Sequence, residues 1–152
     1  AMKLLKQKKL VSVLKVLKQP VLGICLGMQL LYETLDEGGL HVEGLGLLKG
    51  KVTLLNTKKN PSPHMGWNKL SFNKSDDFLN GIKEGSYVYF VHSYAAAITN
   101  YTLAKTSYGT DFSSIVKKNN IYGCQFHPER SSKVGATILE NFMKIKEWFS
   151  PQ

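Results

Sequence analysis

Along the first 18 residues, apolar side chains at Met2, Leu5, Val13, Leu14 and Leu17 fall at helix-like spacing, and Pro20 ends the run. The period then changes. "PVLGI" reads as a short buried strand, "LGMQLLYETL" as a helix, and "DEGGLHVEGLGLLKG" as a glycine-rich loop. "KVTLL", "WNKLSF", "SYVYFVHSYAAA", "TLAKTSY", "SSIVKK" and "IYGCQF" read as strands, with "KNN" as the turn between the last two. "SDDFLNGI" fits one short helical turn with Ser75 as its cap. From Ser131 onward, Val134, Ile138, Phe142, Ile145 and Phe149 recur at helical spacing and predict a C-terminal amphipathic helix. Helix and strand alternate early, strands cluster late and a helix closes the chain, which predicts an α/β domain.

Length and composition narrow this picture. The 152 residues, 43% of them apolar, suit one globular domain over 1–152 with a real core. No repeat or linker divides it, and no apolar run approaches the length of a membrane span. Lys6, Lys8, Lys9, Lys15 and Lys18 interrupt the opening segment, which therefore does not read as a signal peptide. Two cysteines, Cys25 and Cys124, are too few for a disulfide framework and predict a reducing, cytoplasmic setting. The formal charge is +9, but 19 of the 20 basic residues are lysines spread along the chain, and Arg130 is the single arginine. That distribution reads as a solvated surface, with neither nucleic acid nor membrane as partner. His41 and His64 lack the spacing of a metal site.

Chemistry enters at Gly23-Ile24-Cys25-Leu26-Gly27, which joins a strand to a helix. A sharp turn there would lift the Cys25 side chain above the sheet edge, and flanking glycines would remove clashes. The helix N-terminus would lower the thiol pKa, and the N–H of Leu26 would face an oxyanion. Alone, this pattern leaves a reactive cysteine and a small core cysteine equally open. "YGCQFHPERS" tips the balance. A thiol nucleophile needs an imidazole to move protons and a carboxylate to orient it. His127 and Glu129, two apart around Pro128, supply both from one side of an extended segment. Cys124 falls in a strand pattern and reads as core.

Together, "GICLGMQLL" and "QFHPERS" resemble the class I, triad-type glutamine amidotransferases, whose fold is a flavodoxin-like α/β domain. "PHMGWN", "YFVHSY" and "HPERSSKVG" narrow the resemblance to the glutaminase subunits of imidazole glycerol phosphate synthase, in histidine biosynthesis. The resemblance implies that Cys25 forms a glutamyl thioester, that His127 shuttles protons and that Glu129 orients it. It implies Gln29, Glu37, Ser93 and Tyr94 around the substrate L-glutamine, no cofactor and no metal. It also implies that Met65, Trp67, Asn68, Tyr89 and Arg130 face a (β/α)8-barrel cyclase, the heterodimer partner that consumes the ammonia to make imidazole glycerol phosphate and AICAR. Arg130 stands where this family commonly has lysine. The family begins with a β-α-β segment ending in an oxyanion loop, and this sequence is expected to start just after it. Three other readings share these residues: a paralogue feeding another acceptor, such as a nucleotide-sugar amidation enzyme, a cysteine peptidase of similar fold, and a noncatalytic interaction domain. Gln29 and "HMGWN" favour the amidotransferase over the peptidase.

Overall fold

The computed structural model describes residues 1–145, the Glu37 side chain excepted. The lysine-rich start forms two short helices, α1 (Met2–Gln7) and α2 (Leu10–Val16), rather than one. They break where Lys9 takes a positive φ of 56°, in a run of like charges with no side-chain cap. Strand β1 (Val21–Ile24) follows as predicted. The next helix, α3 (Leu26–Gln29), lasts only four residues. The predicted helix through Leu35 gives way to strand β2 (Tyr32–Glu37), which pairs in parallel with β4 (Leu48–Leu54). Burial of Leu31, Tyr32 and Leu35 in that sheet outweighs helix propensity. Gly38 and Gly39, both at positive φ, make the tight turn to β3 (Leu40–Glu43), so the predicted loop is a hairpin.

The central segments are strands as predicted. β5 (His64–Lys69) pairs with β7 (Tyr87–His92) as an antiparallel ribbon, and the short β6 (Ser71–Phe72) follows β5 in the chain. β8 (Tyr94–Ala96) joins β3, β2 and β4 in a four-stranded sheet. β9 (Thr102–Tyr108), β10 (Thr110–Lys118) and β11 (Ile121–Cys124) build a five-stranded sheet in the order β1-β11-β10-β9-β6. Both larger sheets are mixed: β1–β11 and β2–β4 are parallel pairs, and the other pairings are antiparallel. A 3₁₀ turn at Asp77–Leu79 replaces the predicted helical turn, and Asp76 rather than Ser75 caps it by accepting from Phe78 N–H. Asp76 is one residue closer to the first free N–H groups.

Helix α4 (Ser132–Met143) lays Ile138 into a core of Phe78, Phe90, Phe112, Tyr122 and Phe126, with Val134, Phe142 and Ile145 packed against it. The predicted contribution of Phe149 lies outside the described residues. A second core gathers Met2, Met28, Leu31, Tyr32, Leu35, Leu48 and Val52 with Val116 and Ile121 of the five-stranded sheet. Among the described residues, no helix is long and apolar enough to cross a membrane.

Candidate active site

β1 and β11 lie side by side and parallel, with Ile24 opposite Cys124. Residues leaving both strands therefore emerge at the same sheet edge, where loops of parallel strands converge. Cys25 leaves β1, and Gln125 to His127 leave β11. This topology brings the two halves of the predicted triad together.

Cys25 sits at an elbow with φ 52° and ψ −111°, a conformation that favours glycine, and its N–H donates to Cys124 O at 2.7 Å. Such strain costs about 1–3 kcal/mol. The elbow is tight because a β-carbon on Gly23 would lie 2.6 Å from Gly27 O. Gly27 itself has nothing within 4 Å of its would-be β-carbon, so only the first glycine of the motif relieves a clash. The thiol lies 3.7 Å from Val91 O and 3.8 Å from Gln125 Nε2, with the Leu26 N–H also bonding to it.

The predicted lowering of the thiol pKa does not occur. Burial pushes the Cys25 thiol up, the Glu129 carboxylate adds to this, and the Leu26 and Gln125 donors do not compensate. A four-residue helix also has few aligned peptides to offer. At rest Cys25 is held as a thiol, which as the expected nucleophile would hand its proton to a base. Burial in the core pushes the Cys124 thiol up as well.

His127 is the residue expected to be that base. Its Nδ1 lies 2.6 Å from Glu129 Oε1. The carboxylate fixes the proton on Nδ1 and leaves Nε2 as the exchanging nitrogen. Nε2 is buried and has no hydrogen-bond partner. The turn bearing both residues, a 3₁₀ segment at Pro128–Arg130, is held from three directions. His127 N–H donates to Tyr89 O at 3.0 Å, and Ser131 Oγ donates to His127 O at 2.7 Å while accepting from Tyr89 N–H. Helix α4 approaches so closely that a β-carbon on Gly135 would lie 1.8 Å from Pro128 O.

Of the residues assigned to glutamine, Gln29 and Tyr94 come next to this centre. The buried Gln29 Nε2 donates to Tyr94 O at 3.0 Å and to Gln125 Oε1 at 3.1 Å. Ser93 occupies the same corner between β7 and β8, where its carbonyl accepts from Leu55 N–H. The Glu37 backbone ends β2, opposite Leu40. Gln125 was not singled out in the sequence, although an amide inside the apolar "GCQF" was its available signal. It is fully buried and touches both Gln29 and the thiol.

On the outer face of the ribbon, Met65 and Trp67 are more than half exposed. Trp67 packs edge-on to Tyr89, and the Arg130 guanidinium lies 4.7 Å above the Tyr89 ring. Asn68 does not join them. Strand alternation turns it inward, where its Nδ2 donates to Ser107 O at 3.0 Å and lies 3.3 Å from His64 Nε2. No group of three or more potential metal ligands occurs among the described residues.

The sequence profile "Glutamine amidotransferase class-I" matches residues 4–145. "Imidazole glycerol phosphate synthase subunit HisH 1" of Vibrio vulnificus is 48% identical over 149 residues, covering 95% of this chain and 73% of that protein. "Imidazole glycerol phosphate synthase subunit HisH" of Shewanella loihica is 50% identical over 153 residues, covering 95% of this chain and 68% of that protein. Among solved structures, a putative GMP synthase subunit from Thermoplasma acidophilum superposes with a TM-score of 0.64 at 21% identity. That match covers 93% of this chain and 64% of the other, and it establishes the fold. With the profile matched from Leu4 to Ile145 and the HisH proteins matched along 95% of its length, this chain belongs to the class-I glutamine amidotransferases, in the branch of the HisH subunits.

Proposed function

We propose that this single domain is the cytoplasmic glutaminase subunit of an imidazole glycerol phosphate synthase, with Cys25, His127 and Glu129 as its triad. The observation that carries the assignment is His127, which is clamped at Nδ1 by Glu129 and carries a buried, unpartnered Nε2 at the sheet edge where Cys25 turns. In this reading His127 Nε2 takes the thiol proton as Sγ bonds to the carboxamide carbon of glutamine. The Leu26 N–H donates to the oxygen that becomes negative. The tetrahedral adduct collapses with loss of ammonia, to which His127 returns the proton, leaving a glutamyl thioester. His127 then takes a proton from water as the water attacks the thioester, and glutamate leaves as the thiol is restored. Gln29, Glu37, Ser93 and Tyr94 bind the substrate, and Glu37 suits its α-ammonium.

The names of the relatives, subunits of a synthase, support a second enzyme as ammonia acceptor, in this reading a (β/α)8-barrel cyclase. Ammonia released into water is protonated and lost, so a docked acceptor is favoured. Met65, Trp67, Tyr89 and Arg130 form an exposed aromatic and cationic patch of the kind that anchors interfaces. Asn68 belongs to the support behind that patch. The test is labelling with an electrophilic glutamine analogue in the presence of the cyclase. Covalent modification is expected at Cys25 and absent in Cys25→Ala, which also loses glutamine hydrolysis. Modification at Cys124 would overturn the assignment.

A further inference from the structure

The ribbon of β5 and β7 turns its inner face into a buried aromatic box, and two histidines that the triad chemistry does not use sit there. His64 and His92 are paired in register and almost fully buried. His64 stacks on Tyr108 with ring centroids 3.9 Å apart and on Phe90 at 4.8 Å, and His92 lies 4.9 Å from Phe112. Phenylalanines would fill such a box without burying polar ring atoms. What the imidazoles add is their nitrogens, and each nitrogen has a partner.

His92 Nδ1 lies 2.9 Å from Tyr94 O, and His92 Nε2 lies 2.9 Å from His64 Nδ1. His64 Nε2 faces Asn68 Nδ2 at 3.3 Å. A carbonyl only accepts, so His92 carries its proton on Nδ1 and accepts at Nε2. His64 therefore donates from Nδ1 and accepts from Asn68. Every donor meets an acceptor with both rings neutral. The same Tyr94 carbonyl also accepts from Gln29 Nε2, which in turn donates to Gln125 Oε1. That bond aims the Gln125 Nε2 at Cys25 Sγ.

We propose that His64 and His92 are positioning residues for the nucleophile, holding the Tyr94 carbonyl so that the Gln29–Gln125 pair keeps a donor on Cys25 Sγ. The inference rests on Cys25 being the nucleophile. Their relay begins at Asn68, in the strand whose outer face carries Met65 and Trp67. Burial, with a second imidazole beside each ring and against the opposing bond from His92 to Tyr94 O, holds both imidazoles down to about 4, so the relay stays neutral near pH 7. The titratable groups facing the pair are the two rings themselves, Tyr108 stacked on His64 and, beside His92, His127.

The test follows alkylation of Cys25 by iodoacetamide against pH in the full chain, with the site read by mass spectrometry. It needs no glutamine turnover. His92→Leu removes the donor on Tyr94 O, so the thiol titration moves up and alkylation at neutral pH slows about threefold or more. His92→Asn sets an amide N–H where Nδ1 stood and restores the wild-type titration, which a purely space-filling histidine would not predict. A His92→Leu titration superimposing on wild type, in a protein that still unfolds cooperatively, overturns the proposal. So does His92→Asn behaving like His92→Leu. Should His92→Leu not fold, His64→Leu against His64→Asn reads the same contrast one bond further back, with the same outcomes deciding. Glutamine hydrolysis is measured alongside. A wild-type protein that hydrolyses none overturns the glutaminase reading and leaves the thiol comparison standing.

Discussion

The two arms of the proposed triad are built in opposite ways. The cysteine arm is local: β1, the strained elbow and the first turn of α3 span Val21 to Gln29, and Gly23 makes the close approach within that span. The histidine arm is assembled from a distance. Tyr89 in β7, Ser131 just ahead of α4 and Gly135 within α4 all hold the turn that presents His127 and Glu129. A local arm is set by its own backbone and stores strain there, whereas an assembled arm is only as accurate as the packing around it. Substitutions at the two arms should therefore fail differently.

The largest effect is expected from Glu129→Gln. The neutral amide no longer stabilises a protonated His127, and turnover should fall by about 10²–10⁴. The thiol should move the other way. The Glu129 carboxylate helps to hold the Cys25 pKa up, so removing its charge lets the thiol ionise at lower pH. Slower glutamine hydrolysis with faster alkylation at neutral pH separates the orienting role from simple damage to the site. Parallel losses in both would place Glu129 outside the triad.

A smaller effect, felt in stability as well as rate, belongs to Gly135→Ala. The added β-carbon would lie 1.8 Å from Pro128 O, so α4 or the catalytic turn must shift. The cost is about 1–3 kcal/mol by denaturant unfolding, with glutamine hydrolysis reduced in the protein that remains folded. Gly27→Ala is the matched control, since nothing lies within 4 Å of the new carbon and α3 tolerates alanine. Equal stability losses at the two positions would show that the turn is not braced by α4.

The difference between the arms also explains what could be read from the sequence. Cys25 was legible because a glycine-flanked cysteine between a strand and a helix is a contiguous pattern. His127 and Glu129 were legible as neighbours in "QFHPERS", but the bracing by Ser131 and Gly135 was not, since it depends on how α4 docks. The early helix prediction failed at Tyr32 because the spacing in "LGMQLLYETL" fits a helix, while partnership with β4, sixteen residues away at Leu48, makes its second half a strand. The resemblance groups Asn68 with Met65 and Trp67, and strand alternation separates them. The thiol pKa was read with the wrong sign because composition shows a helix start but not the desolvation around it. Gln125 and the His64–His92 pair join strands far apart in the chain, and no short motif announces them.

The smallest expected effect tests the local arm by itself. Cys25 holds φ 52° and ψ −111°, a conformation that costs any residue with a β-carbon. Comparing Cys25→Gly with Cys25→Ala removes the thiol from both proteins and leaves the β-carbon as the difference between them. In ordinary helix or strand positions alanine is the more stable of the two by about 0.5–1 kcal/mol, because glycine loses more freedom on folding. At this elbow the order should reverse, with Cys25→Gly the more stable by about 1 kcal/mol. Denaturant unfolding of the pair measures it, and both variants should be inactive, so turnover does not enter. If alanine is the more stable, the elbow is unstrained and the cysteine arm owes its geometry to its neighbours after all. If glycine is, the strain at the nucleophile is stored in the backbone of β1 and α3.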